Sequence, residues 1–176
     1  MGAPSSSTSV HKLTLSQCTS LVTLGTPHSS PESALVDQTR GLLKEVEAST
    51  SCSSKTLTDG GIEITCVGSA SIGGNLLSTN IEELVAASSY LPLLGRLGAD
   101  VKGDGIIPTE LAFMEAPAKR IELDCCKITG NQVRHAHVFP TPWNLFDGAA
   151  ASISLPDEFT WYGSKGVLEE WVQYIK

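Results

Sequence analysis

Charge, patterned cysteine and long apolar runs are what this sequence has least of. Asp, Glu, Lys and Arg make up only 18% of its 176 residues, with a net charge of -7 and a pI near 5.0. A nucleic-acid binder neutralises phosphates with a basic stripe, and 12 basic residues against 19 acids supply none. The 5 cysteines have no regular spacing and form no Cys-x-x-Cys pair, and Cys125 and Cys126 are adjacent, where an unstrained bridge is hard to close. These absences exclude a disulfide framework and a zinc ribbon, and reduced thiols in a soluble intracellular chain are the simpler expectation, with peripheral membrane association left open. No Asn-x-Ser/Thr acceptor is present, and no apolar run approaches the roughly 20 residues of a membrane span. A G-x-S-x-G pentad is also missing. What remains is 41% hydrophobic residues, enough to build the core of one domain.

The apolar residues are arranged in short alternating elements. Residues 1–17, rich in Ser and Thr with no apolar h-region, read as a flexible arm. Ser20 to Leu24 is an apolar run ended by Gly25 and Pro27, the pattern of a buried strand entering a loop. Leu43 and Val46 predict a helix over residues 37–47, and the Ser, Thr and Gly of residues 49–61 predict a loop. Residues 62–67 alternate and are β-branched, predicting a second strand that Gly68 ends. Asn80 with Glu83 three residues on marks a helix start, with Ile81, Leu84, Val85 and Leu91 along one side and Pro92 and Gly95 closing it. Residues 119–123 predict a third strand and residues 132–139 a short fourth. Pro140, Pro142 and Pro156 bracket a long loop holding Trp143 and Phe146. Ser164 then caps a last helix with a stripe of Val167, Leu168, Trp171, Val172 and Ile175. Strand and helix alternation predicts an α/β class without internal repeats.

One stretch anchors the chemistry, Val101-Lys102-Gly103-Asp104-Gly105-Ile106-Ile107-Pro108. An acid between two glycines has neighbours free to turn sharply, which predicts a tight, exposed loop carrying Asp104. An acid held this way can orient a histidine. His135 and His137 follow downstream, and Leu24-Gly25-Thr26-Pro27-His28 precedes it directly after the first strand.

These segments, together with Trp161-Tyr162-Gly163-Ser164 before the last helix, resemble the lipase-type α/β-hydrolases. More narrowly they resemble the plant proteins related to GPI inositol-deacylase. The resemblance runs from about Ser20 to the C-terminus and implies that residues 18–176 are the C-terminal part of such a domain. The implied architecture is a partial α/β-hydrolase fold, a mostly parallel sheet with its front half missing. It implies hydrolysis of an ester bond in a lipid by a serine-hydrolase triad, without a cofactor.

An acyl-transfer triad needs a nucleophile, a base that takes its proton and an acid that fixes the base's tautomer, in the chain order Ser, Asp, His in this fold. Asp104 is the expected acid, and His135 or His137 the base, with Gln132-Val133-Arg134-His135-Ala136 favouring His135. Leu24, Gly25, Thr26 and His28 are the expected pocket lining. The nearest serine turn is Gly68-Ser69-Ala70-Ser71-Ile72-Gly73, where Ser69 replaces the first glycine of an elbow and Ser71 would be the nucleophile. Because the Leu24 to His28 motif follows the nucleophile in the family, the missing serine is expected upstream of Met1, leaving a truncated chain inactive alone. Two other classes stay open: a binding module or pseudoenzyme whose loops around Asp104, Trp143 and Trp161 hold a partner without turnover, and a small esterase using Ser71. His135-Ala136-His137 could place two imidazoles on one strand face, but no third ligand stands at useful spacing, so no metal is expected.

Overall fold

The computed structural model describes residues 18–31, 33–35, 37, 39–98, 100–136 and 159–176. The arm over residues 1–17, His137 and the loop with Trp143 and Phe146 lie outside the described residues. In chain order the elements are β1 (Ser20–Leu24), α1 (Leu42–Ala48), α2 (Ser54–Asp59), β2 (Glu63–Ser69), β3 (Ile72–Gly73), α3 (Ile81–Leu94), β4 (Lys102–Gly103), β5 (Lys119–Leu123) and α4 (Lys165–Trp171). The class is mixed α/β. β1, β2 and β5 form a parallel sheet in that order, with Leu24 beside Val67 and Val67 beside Ile121. β3 and β4 pair antiparallel outside it.

Strand alternation sorts the side chains onto two faces. Val22, Leu24, Val67, Ile121 and Leu123 turn to one side, where they meet Cys126, Val133, Tyr162, Val167 and Trp171. Ile62, Ile64 and Cys66 turn to the other, against Leu57 of α2 and Phe113, Met114 and Ala118. Covering both faces is what a parallel sheet demands, because neither face is left to water. Gly68 lets Phe113 lie on the sheet, since a Cβ there would stand 2.7 Å from the Phe113 ring. A third cluster, with Ile72, Tyr90, Leu94, Val101, Ile107 and Leu111, seats α3 against the Asp104 loop.

Several local expectations change. The first helix starts at Leu42 rather than 37, because the Asp37 carboxylate takes the N–H groups of Thr39 (2.9 Å) and Gly41 (2.7 Å) and holds a turn. Residues 49–61 are not all loop: Ser53 caps α2 by accepting from the Thr56 N–H (3.2 Å). Asn80 caps α3 as expected, accepting from the Glu82 N–H (2.9 Å), and Gly95 closes it in the left-handed region, but Pro92 lies inside the helix. The buried side of α3 is Ala86, Ala87, Tyr90 and Leu94, while Ile81 is exposed. Small residues win because the helix runs against Gly74, whose Cβ would stand 3.3 Å from the Ala87 Cα. Residues 132–136 form no strand, only a bridge from Arg134 to Trp161. The C-terminal stripe is also narrower than expected, with Val167 buried and Leu168, Val172 and Ile175 exposed. The Ser164 hydroxyl accepts from the Trp161 N–H (3.0 Å) rather than from its own helix.

No helix among the described residues is long and apolar enough to cross a membrane. None of the 5 cysteines is bridged, and the adjacent pair divides into an exposed Cys125 and a buried Cys126.

Ile64 is 4% exposed at the sheet centre, so Ile64→Ala is expected to lower stability by about 2–5 kcal/mol. Leu77, 94% exposed, should change it by no more than about 0.5 kcal/mol when replaced by Ala. Urea unfolding of the two variants checks the pair.

Candidate functional site

Asp104 lies on the turn after β4, and the turn is tight as its glycines predict, but the acid is not exposed. Its side chain is 1% accessible. A buried carboxylate is tolerable only when its oxygens are satisfied. Oδ1 accepts from the N–H groups of Ile106 (3.0 Å) and Ile107 (2.8 Å). Oδ2 accepts from the Tyr162 hydroxyl (3.0 Å) and lies 2.9 Å from Nδ1 of His135. The backbone repeats the connection, because the His135 N–H donates to the Asp104 carbonyl (3.0 Å).

The pairing fixes the histidine. An ionised carboxylate can only accept, so the neutral ring facing it carries its proton on Nδ1 and keeps the Nε2 lone pair. Among the described residues Nε2 has no hydrogen-bond partner, and the His135 side chain is 31% exposed. It opens into a narrow cleft walled by Ile72, Val85, Ile106 and Phe159 together with the paired Glu82 and Arg134. The result is an oriented base at the mouth of a mostly apolar cleft.

Three further contacts hold this arrangement. The left-handed Gly25 (φ +53°) backs onto the pair so closely that a Cβ would stand 2.3 Å from Asp104 Oδ2 and 2.9 Å from His135 Nδ1. Tyr90, buried in α3, accepts from the Gly105 N–H (2.8 Å) and donates to the Ile72 carbonyl (3.2 Å), bracing the acid's loop. Burial, and then the Asp104 charge, pushes the Tyr90 phenol well above its usual range, so it stays a donor. Arg134 forks onto Glu82 in the first turn of α3 (2.7 and 2.9 Å) and stacks 4.0 Å over the Phe159 ring, tying the His135 loop to that helix.

The other expected site residues fall elsewhere. Leu24 packs in the sheet core, and none of Leu24, Gly25, Thr26 and His28 lines the cleft; Gly25 instead supports the pair from behind. His28, beyond the end of β1, turns to the sheet face of Thr23 and Cys66, with Nε2 3.0 Å from Thr23 Oγ1 and 3.8 Å from Cys66 Sγ; strand alternation points those two partners away from the face of Leu24 and Val67. Burial lowers its pKa from the ordinary 6.5. The Ser71 hydroxyl donates to the Asp124 carbonyl and accepts from the Val133 N–H (3.0 Å), which makes it a brace between loops. His137 is outside the described residues. Among those residues no cluster of metal-ligating side chains occurs.

Tyr162, Tyr90 and the Arg134–Glu82 fork were not assigned from sequence. Tyr162 belongs to the motif that suggested the resemblance, but a reach of 58 positions back to Asp104 leaves no local signal. No family model, curated protein or solved structure matches the chain, so the site stands on its geometry.

Gly25→Ala adds a Cβ that collides with the pair, whereas Gly130→Ala meets left-handed strain (φ +72°) with nothing within 4 Å. Gly130→Ala is expected to lose roughly 1–2 kcal/mol, and Gly25→Ala clearly more, in urea unfolding. A second prediction follows from His28. Its folded-state pKa lies below the unfolded value, so the fold gains from a neutral ring above about pH 6.5 and loses that gain as pH falls below it. His28→Gln should therefore lose less stability than the parent between about pH 7.5 and pH 5.5.

Proposed function

We propose that this chain carries the orienting acid and the general base of a serine-hydrolase site of the lipase-like α/β-hydrolase type, acting on an ester bond of a lipid in the manner of the GPI inositol-deacylase relatives. The observation that carries the reading is the 2.9 Å contact of a buried, fully bonded Asp104 with a His135 whose other nitrogen faces a cleft. In such a site the acid holds the tautomer and stabilises the imidazolium, while the base takes the nucleophile's proton and returns it to the leaving group. Placement supports the reading. The acid lies in the excursion after the second parallel strand and the base in the loop after the third, both near the C-terminal ends of the strands, where α/β sheets gather their sites. The cleft is mostly apolar and its Glu82 and Arg134 are paired with each other, which suits an acyl chain better than a charged substrate.

The nucleophile is not among the described residues that reach His135 Nε2. Ser71 is a poor candidate, because its proton is already given to the Asp124 carbonyl and a nucleophilic hydroxyl must give it to the base. On this reading the nucleophile is supplied from outside the described residues.

Nitrogen-15 NMR of the imidazole tests the reading. In the parent protein the neutral His135 ring is expected to carry its proton on Nδ1, and in Asp104→Asn the proton should move to Nε2 as the amide donates to Nδ1. A parent ring protonated on Nε2, or a tautomer indifferent to the substitution, overturns the proposal. A serine-reactive fluorophosphonate gives the complementary check. No label is expected on Ser71, and labelling there that His135→Ala abolishes would replace this reading with an independent esterase.

A further inference from the structure

Asp104 Oδ2 serves two donors at once, and only one of them is the histidine. The Tyr162 hydroxyl, from the turn just before α4, reaches the same oxygen at 3.0 Å, and its ring meets the imidazole edge to face at 6.2 Å and 83°. Tyr162 is 2% exposed and packs among Val67, Leu123, Val133 and Val167, so its hydroxyl has no water to turn to. The Trp171 indole N–H donates to its carbonyl (2.9 Å), which anchors the residue to α4. Burial first, and then the neighbouring Asp104 charge, raise its pKa far above the usual range, so the phenol remains a donor at any working pH. The other titratable or charged groups near the pair are spoken for: Tyr90 by Ile72 and Gly105, and Arg134 by Glu82.

Two donors on one carboxylate oxygen compete for the same charge. We propose that Tyr162 is a positioning residue for His135, one that holds Oδ2 against Gly25 and draws off part of its charge, thereby setting the strength of the Asp104–His135 hydrogen bond. The inference rests on reading that pair as acid and base. It adds a third described group to the acid and base, and it gives the Trp161-Tyr162-Gly163-Ser164 turn a role beyond starting a helix.

The His135 Nδ1 proton reports the bond directly, since a stronger hydrogen bond moves it downfield. In low-temperature proton NMR the parent protein should show a downfield Nδ1 resonance that Asp104→Asn removes. In Tyr162→Phe, which keeps the ring and its packing, the resonance should persist and move further downfield, because the imidazole then has Oδ2 to itself. An unchanged resonance, or one lost from a folded Tyr162→Phe protein, overturns the inference. Should Tyr162→Phe fail to fold, 3,5-difluorotyrosine placed at position 162 strengthens the donor without changing the ring's place, and it should move the resonance the opposite way; no upfield movement overturns the inference. Absence of any Asp104-dependent resonance in the parent is instead the failure of the acid–base reading itself.

Discussion

A single carboxylate organises this molecule. Asp104 is buried, and an ionised group removed from water without partners costs several kcal/mol. Its four hydrogen bonds come from its own loop, from His135 and from Tyr162, segments spread over 58 positions of the chain. Satisfying one acid therefore forces three distant pieces of backbone to the same end of the sheet. Gly25 completes the enclosure, because only a residue without a side chain can stand where a Cβ would be 2.3 Å from the carboxylate.

The rest of the fold reads as support for that point. The parallel strands set a platform whose two faces are filled by different clusters, and the first turn beyond β1 puts Gly25 beneath the acid. α3 serves twice. Its buried Tyr90 braces the Gly105 backbone, and Glu82 in its first turn grips Arg134 beside the histidine. Elements on both sides thus hold the pair, and the proposed base would need such positioning to meet its partner in one orientation.

Chemically, the arrangement separates the two nitrogens of one ring. Nδ1 is committed to a buried acid, and Nε2 is left at an apolar cleft. That division suits proton transfer, and it differs from the packing of His28, which is turned to the other sheet face and bonded to a threonine, with burial lowering its pKa. The contrast between the two histidines is a matter of what each ring meets: Thr23 and Cys66 on one sheet face for His28, a buried carboxylate and a cleft for His135.

By itself the sequence determined the α/β class, the three sheet strands nearly to the residue, the cap at Asn80 and the chemistry of the Asp104 turn, because these depend on local periodicity, capping and glycine. It also brought Asp104 and His135 under suspicion together. It misjudged the exposure of Asp104, since a Gly-Asp-Gly turn looks solvent-facing until one knows which donors arrive from elsewhere. It drew the apolar side of α3 through Ile81, which is exposed, rather than through Ala86, Ala87, Tyr90 and Leu94, and expected a strand where residues 132–136 form none, because close approach to Gly74 and the bond from the His135 N–H to the Asp104 carbonyl are long-range facts. Only the tertiary structure decided that Gly25 backs the pair rather than lining a pocket, that Ser71 braces loops, and that Tyr162 shares the acid with the histidine. The physical reason is the same in each case: a hydrogen bond or a steric contact between residues far apart in the chain leaves no period in the sequence to read.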